Sequence, residues 1–147
     1  QVSYDVEVAF VDSSFTKAIL YAGRARIYEK RSETLLDSGV KTLFFKKDRE
    51  EEASVLTSKK AKIDDRTMNM IAEENVVVIG KEKDMRLETE ILEWKNKERQ
   101  LYSTEYVEIT TEKEIIRGYG FESDPNLTNY KIFKVSGIQN ISEDQNE

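Results

Sequence analysis

Apolar positions separated by charged ones recur along this chain at long intervals. Leu20, Ala25, Ile27, Leu35, Val40 and Thr42 return 36 residues later as Leu56, Ala61, Ile63, Ile71, Val76 and Val78, and 31 residues after that as Leu87, Leu92, Trp94, Tyr102, Val107 and Ile109. Self-similarity at such periods marks stacked architectures, in which one unit cannot cover its own apolar face and must borrow a neighbour's. Local alternation specifies the units. Val2, Tyr4, Val6, Val8 and Phe10 alternate with Ser3, Asp5, Glu7 and Ala9, which predicts a half-buried strand. Lys41 to Phe45, Asn75 to Ile79 and Tyr106 to Thr110 are rich in β-branched and aromatic residues and predict three more, with turn candidates at Lys47-Asp48 and Gly80-Lys81. Pro125, between Asp124 and Asn126, predicts a turn.

Met85 to Leu101 is full of helix formers, and Leu87, Ile91, Trp94 and Leu101 fall near helical spacing, so propensity alone reads a helix. The echo favours strand, turn, strand, because the equivalent stretch contains Asp64-Asp65-Arg66-Thr67, a poor helix interior; the matching turn is Lys95-Asn96-Lys97-Glu98. Each copy contains two odd steps of five, such as Leu56 to Ala61 and Ile71 to Val76. Side chains alternate along a strand, so holding such pairs on one face requires a bulge or a corner. The expectation is an all-β fold: roughly a dozen or more short strands in an open, twisted β-jellyroll of stacked, V-shaped antiparallel layers around an apolar lumen. It comprises one domain over residues 1–141, with a disordered acidic tail over 142–147.

Composition narrows the function. With 35% charged residues, a net charge of -6 and no run of 18 apolar residues, the chain is neither a nucleic-acid binder by charge nor a membrane-spanning helix. It has no cysteine and no histidine, so disulfides, thiol chemistry and the commonest general base and metal ligand are lacking; no metal or other cofactor is expected. The start at Gln1 suggests that a signal peptide or an anchor precedes the sequence.

Leu87-Glu88-Thr89-Glu90-Ile91-Leu92-Glu93-Trp94, then Ser103, Val107 and Ile109, then Ile116-Arg117-Gly118-Tyr119-Gly120-Phe121-Glu122-Ser123-Asp124 and Lys134-Val135-Ser136-Gly137, resemble in order and spacing the LptC family of lipopolysaccharide-export proteins. The likeness extends back through Leu56, Ala61, Asp64 and Asn75-Val76-Val77-Val78, covering about Leu20 to Gly137, with Glu74 a minor departure. It implies a β-jellyroll of the type shared by LptA, LptC and the N-terminal part of LptD. It also implies a non-enzymatic role in the periplasm: taking lipopolysaccharide from the inner-membrane transporter of LptB, LptF and LptG and passing it to LptA. Such proteins are tethered to the inner membrane by an N-terminal helix, which this sequence lacks. Four acyl chains of about ten carbons carry on the order of 30 kcal/mol of apolar transfer free energy, at about 0.8 kcal/mol per methylene. Their passage through water therefore requires a shielding groove.

On this reading Leu56, Ala61, Ile63, Ile71, Val76, Val78, Leu87, Leu92, Trp94, Val107, Ile109 and Phe121 line a lipid groove, although the same residues can instead fill a closed core. Lys131, Ile132, Phe133, Lys134 and Val135 form an edge strand facing LptA, and Val6, Val8 and Phe10 one facing the transporter; homo-oligomers through these edges are a further expectation. Lys131 and Lys134 can equally protect their edge. Three competing readings remain: a soluble bridge protein like LptA, a structural β-repeat module that binds no lipid, and an enzyme using carboxylates or tyrosine as acid and base. Gly118-Tyr119-Gly120 follows a strand but opens no helix, so close backbone approach explains it better than phosphate binding. The run Glu50-Glu51-Glu52 reads as solvated charge.

Overall fold

A computed structural model describes residues 1–47 and 51–141. Its strands are β1 (Val2–Asp12), β2 (Phe15–Tyr28), β3 (Glu33–Phe45), β4 (Glu52–Ser58), β5 (Lys60–Asp64), β6 (Asn69–Gly80), β7 (Arg86–Lys95), β8 (Gln100–Thr110), β9 (Glu114–Ser123) and β10 (Tyr130–Asn140). They form one antiparallel sheet in the order β1-β2-β3-β4-β6-β7-β8-β9-β10, with β5 pairing β3 and β6. The expected open, all-β jellyroll is what the chain adopts. The strands are fewer and mostly longer than the short ones expected, because most run straight through their bends; only the β4–β5 strand breaks there, at Lys59. Met85 to Leu101 is strand and turn, so pairing with β6 and β8 overrides its helix propensity. Asp48, Glu50 and the tail over 142–147 lie outside the described residues; Glu51 pairs with Lys46 and Glu52 with Lys81.

The echo is the layer repeat. Leu20 faces Thr42, Leu56 faces Val78 and Leu87 faces Ile109, each across one hairpin. The pairings continue between hairpins, from Thr42 to Leu56, Val78 to Leu87 and Ile109 to Ile116. A fourth copy follows at a step of 29, with Leu87, Leu92 and Ile109 repeating as Ile116, Phe121 and Ile138, and with Ile116 facing Ile138. It escaped the sequence reading because only these apolar positions survive in it.

From β2 to β9 the layers bend at the same place. The ladder shifts register between Ala22 and Arg24, Glu73 and Val76, Thr89 and Glu93, and Ser103 and Tyr106. In the first strand of each hairpin the irregularity keeps a five-residue step on one face, so Leu20 and Ala25, Leu56 and Ala61, and Leu87 and Leu92 are all buried. The second strand behaves differently. Its inward step is four residues, from Leu36 to Val40, Ala72 to Val76 and Ser103 to Val107. In two of these strands the intervening residues turn left-handed: Ser38 at φ 62° and Gly39 at 85°, and Glu74 at 70° and Asn75 at 55°. Leu35, Ile71 and Tyr102 therefore sit one residue out of register with the lumen and only half buried.

The bends fold the sheet into two arms whose inner faces cover each other. Arg24 and Asp37 pin the first bend, the guanidinium donating from Nε and Nη2 to the two carboxylate oxygens at 2.7 and 2.6 Å. This bidentate bond holds the Asp37 carboxyl below its ordinary range and lifts Arg24 above its own. A carboxylate with a depressed folded-state pKa stabilises the fold above its unfolded pKa, and that contribution fades as pH falls through the folded value. In Asp37→Asn the loss of stability on acidification below about pH 4 is expected to be shallower than in the parent chain, read as the urea midpoint at pH 7 against pH 3. Leu56 lies mid-row with no exposed surface. Leu56→Ala is expected to lower unfolding free energy by about 2–5 kcal/mol in the same assay.

Candidate functional site: the lumen between the two arms

The inner faces meet in aligned rows of side chains. On the first arm, Val8, Leu20, Thr42, Leu56, Val78, Leu87, Ile109, Ile116 and Ile138 pair in unbroken succession from β1 to β10. On the second, Ala25, Leu36, Ala61, Ala72 and Leu92 form one row, and Ile63, Met70, Trp94 and Leu101 belong to the row nearer the rim. The arms touch across the lumen where the Phe44 and Trp94 rings lie 4.8 Å apart at 51° and where the Thr42 hydroxyl meets the Met70 sulfur at 3.8 Å.

Of the residues expected to line a groove, Leu56, Ala61, Ile63, Val76, Val78, Leu87, Leu92, Trp94, Val107, Ile109 and Phe121 are brought together here, all buried in one cluster. They fill the space between the arms. Ile71 is the exception and a correction: it lies on the outer face beside Lys62, Arg66 and Glu93, for the register reason given above. Leu36, Phe44, Met70, Ala72 and Leu101 join the cluster beyond the expected set; of these, simple alternation from Thr42 reaches Phe44. Leu127 joins it too, buried from a loop in which no periodicity operates.

That loop, residues 124–129, is built on one carboxylate. Asp124 accepts from the Thr128 amide at 3.0 Å, the Thr128 hydroxyl at 2.8 Å and the Asn129 side chain at 3.3 Å, fulfilling the turn expected around Pro125. The loop carries Leu127 over the end of β6, where a Cβ on Gly80 would stand 3.4 Å from the leucine methyl. Tyr130, at the start of β10, stacks on Phe121 at 6.4 Å; burial lifts its phenol above the ordinary pKa, and Glu114 pushes the same way.

The two ends of the stack are edge strands, β1 and β10, each paired on one side only among the described residues. At the β10 end the lumen loses its cover: along one row exposure rises from 1% at Ile109 to 8% at Ile116 and 62% at Ile138. Val135, the end of a neighbouring row, is 51% exposed. Lys131, Phe133 and Lys134 are exposed, and Ile132 packs on the core. At the other end Val6 and Val8 are half buried against the core. Phe10 corrects the edge reading, since its side chain has no exposed surface and fills the lumen beside Ala18.

Gly118 and Gly120 lie inside β9, where added Cβ atoms would come within 2.5 Å of the Ile132 side chain and 2.6 Å of the Phe133 ring. This is the close approach expected of strand glycines, and it seats β10. Gly118→Val is expected to raise amide exchange along β10 by at least tenfold while leaving β4 to β7 protected, as measured by hydrogen–deuterium exchange.

The outer face offers less. A depression bordered by Asn75, Val77, Glu88, Glu90, Glu105 and Tyr106 is open to solvent; Glu88 pairs with Arg86, and Glu90 and Glu105 are exposed. Its carboxylates are not the enclosed, facing pair that acid–base chemistry needs. Among the described residues no helix is long and apolar enough to cross a membrane.

No protein among the curated sequences compared matches this chain. A family model described as lipopolysaccharide-assembly, LptC-related, matches residues 10–134, from the last inward residue of β1 to the middle of β10. The chain therefore belongs to the LptC-related family of lipopolysaccharide-assembly proteins, which serve in lipopolysaccharide transport.

Proposed function

We propose that this chain carries lipopolysaccharide in the periplasm, holding the acyl chains between its two arms while the polar headgroup stays in water. It receives the lipid from the inner-membrane transporter of LptB, LptF and LptG at the β1 end and passes it to LptA at the β10 end. An N-terminal segment outside this sequence tethers it to the inner membrane. The observation that carries this reading is the inward row running unbroken from Val8 to Ile138, apolar but for Thr42, and emerging uncovered at the β10 edge. A closed structural core would end in polar residues there; this one presents Val135 and Ile138 to solvent.

Physical chemistry favours such a design for a heterogeneous amphiphile. A lumen lined mainly by leucine, valine, isoleucine and alanine makes few directional demands, so it accepts acyl chains of different length and rewards them chiefly by area removed from water. An edge strand can receive a partner's strand by main-chain pairing, which continues the sheet and joins one lumen to the next. The same edges permit self-association where no partner is present.

A photo-crosslinking amino acid at Val78 or Ile109 is expected to capture lipopolysaccharide in cells that export it, with little capture from the outward position Glu108. Capture confined to Glu108 and similar outward positions would contradict the reading.

A further inference from the structure

We infer that Lys17 and Arg99 form a latch that holds the mouth of the lumen shut, and that its release admits the acyl chains; the inference rests on the carrier reading above. The mouth lies opposite the bends, where the free ends of the two arms meet. Most contact between the arms is apolar, but at the mouth polar bonds cross it, two of them donated by cations among the described residues. Lys17, a β2 residue only 6% exposed, donates from its ammonium to the Asn96 carbonyl at 2.9 Å, joining residues 79 apart in sequence. Arg99 donates from Nη2 to the Phe45 carbonyl at 3.0 Å, and its guanidinium lies 5.4 Å from the Phe15 ring centre.

Both bonds converge on the β7–β8 turn, and the turn is itself braced. The Asn96 amide donates to Asn69 Oδ1 at 2.9 Å, and the Trp94 indole donates to Asn96 Oδ1 at 3.1 Å. Directly beneath, Trp94 packs on Phe44, its counterpart on the other arm. The turn thus acts as a strap: anchored to its own arm through Asn69 and Trp94, and fastened to the opposite arm by two cations. Neither fastening belongs to a strand ladder, so both can open while every sheet pairing persists.

The chemistry suits a closure that must hold and then yield. Apolar contact between the arms is non-directional and lets them slide. A buried ammonium on a neutral carbonyl is directional, and losing that acceptor without water is costly. The mouth therefore has a defined closed position. Once parted, it is rewetted, the cations are hydrated, and the Phe44–Trp94 contact is free to be replaced by an acyl chain.

Trp94 is the single tryptophan of the chain and is 1% exposed, so it reports on the mouth directly. In Lys17→Met with Arg99→Met the side-chain bulk stays but the bonds go. Acrylamide quenching of Trp94 is expected to rise several-fold with an unchanged far-ultraviolet circular dichroism spectrum; unchanged quenching overturns the latch. Should the double variant fail to fold, the opposite manipulation serves. The chain has no cysteine, so Lys17→Cys with Asn96→Cys, joined by a short cleavable thiol crosslinker, locks the strap in place. With rough-type lipopolysaccharide as the probe and a photo-crosslinker at Val78, locked protein is expected to capture at least tenfold less lipid than the same protein after cleavage. Equal capture in both states overturns the latch and leaves the carrier reading standing. No capture in either overturns the carrier reading, and with it the admission step.

Discussion

The structure depends on one constraint: a sheet wide enough to carry these rows of apolar residues cannot cover its own inner face while flat. The chain meets it by bending every layer at the same height. A β-bulge or a pair of left-handed residues costs local hydrogen bonding and backbone strain. In return it brings the Leu20–Ile116 row of one arm onto the Ala25–Leu92 row of the other. The aligned bends allow one continuous lumen instead of separate small cores, and among the described residues it is left uncovered at the β10 end.

Both ends follow from the same constraint. A sheet folded on itself leaves its first and last strands unpaired on one side, and such edges are ordinarily blunted with charge, bulges or cover. Here β10 carries Lys131 and Lys134, yet its inward positions Val135 and Ile138 are apolar and exposed. The bulge between Val135 and Gly137 bends the strand without hiding them. On the carrier reading proposed above, such an edge serves as a junction.

Much of this was legible in the sequence, and the parts that were not have identifiable causes. The echo from Leu20 to Leu56 to Leu87 marked the layers because each copy must present the same inward residues, and the odd five-residue steps marked the bends. The register after each bend was not legible. Ile71 and Leu35 occupy echo positions but point outward, since strand pairing alone reveals that their hairpins resume one residue later. Phe10 was assigned to a docking edge although its alternation with Ala9 and Val11 already placed it inward with Val6 and Val8. The latch was invisible for a different reason: Lys17 and Arg99 are ordinary surface residue types, and only the fold sets them at one rim.

Lipid held between the arms must touch the inward side chains, and nuclear Overhauser effects from the acyl methylenes of bound lipopolysaccharide to methyl-labelled protein read that contact. Contacts are expected to Val78, Leu92 and Ile109, with none to Val77, Ile79 and Ile91, which lie on β6 and β7 but face outward. Contacts to the outward set alone would place the lipid on the surface and contradict the carrier reading.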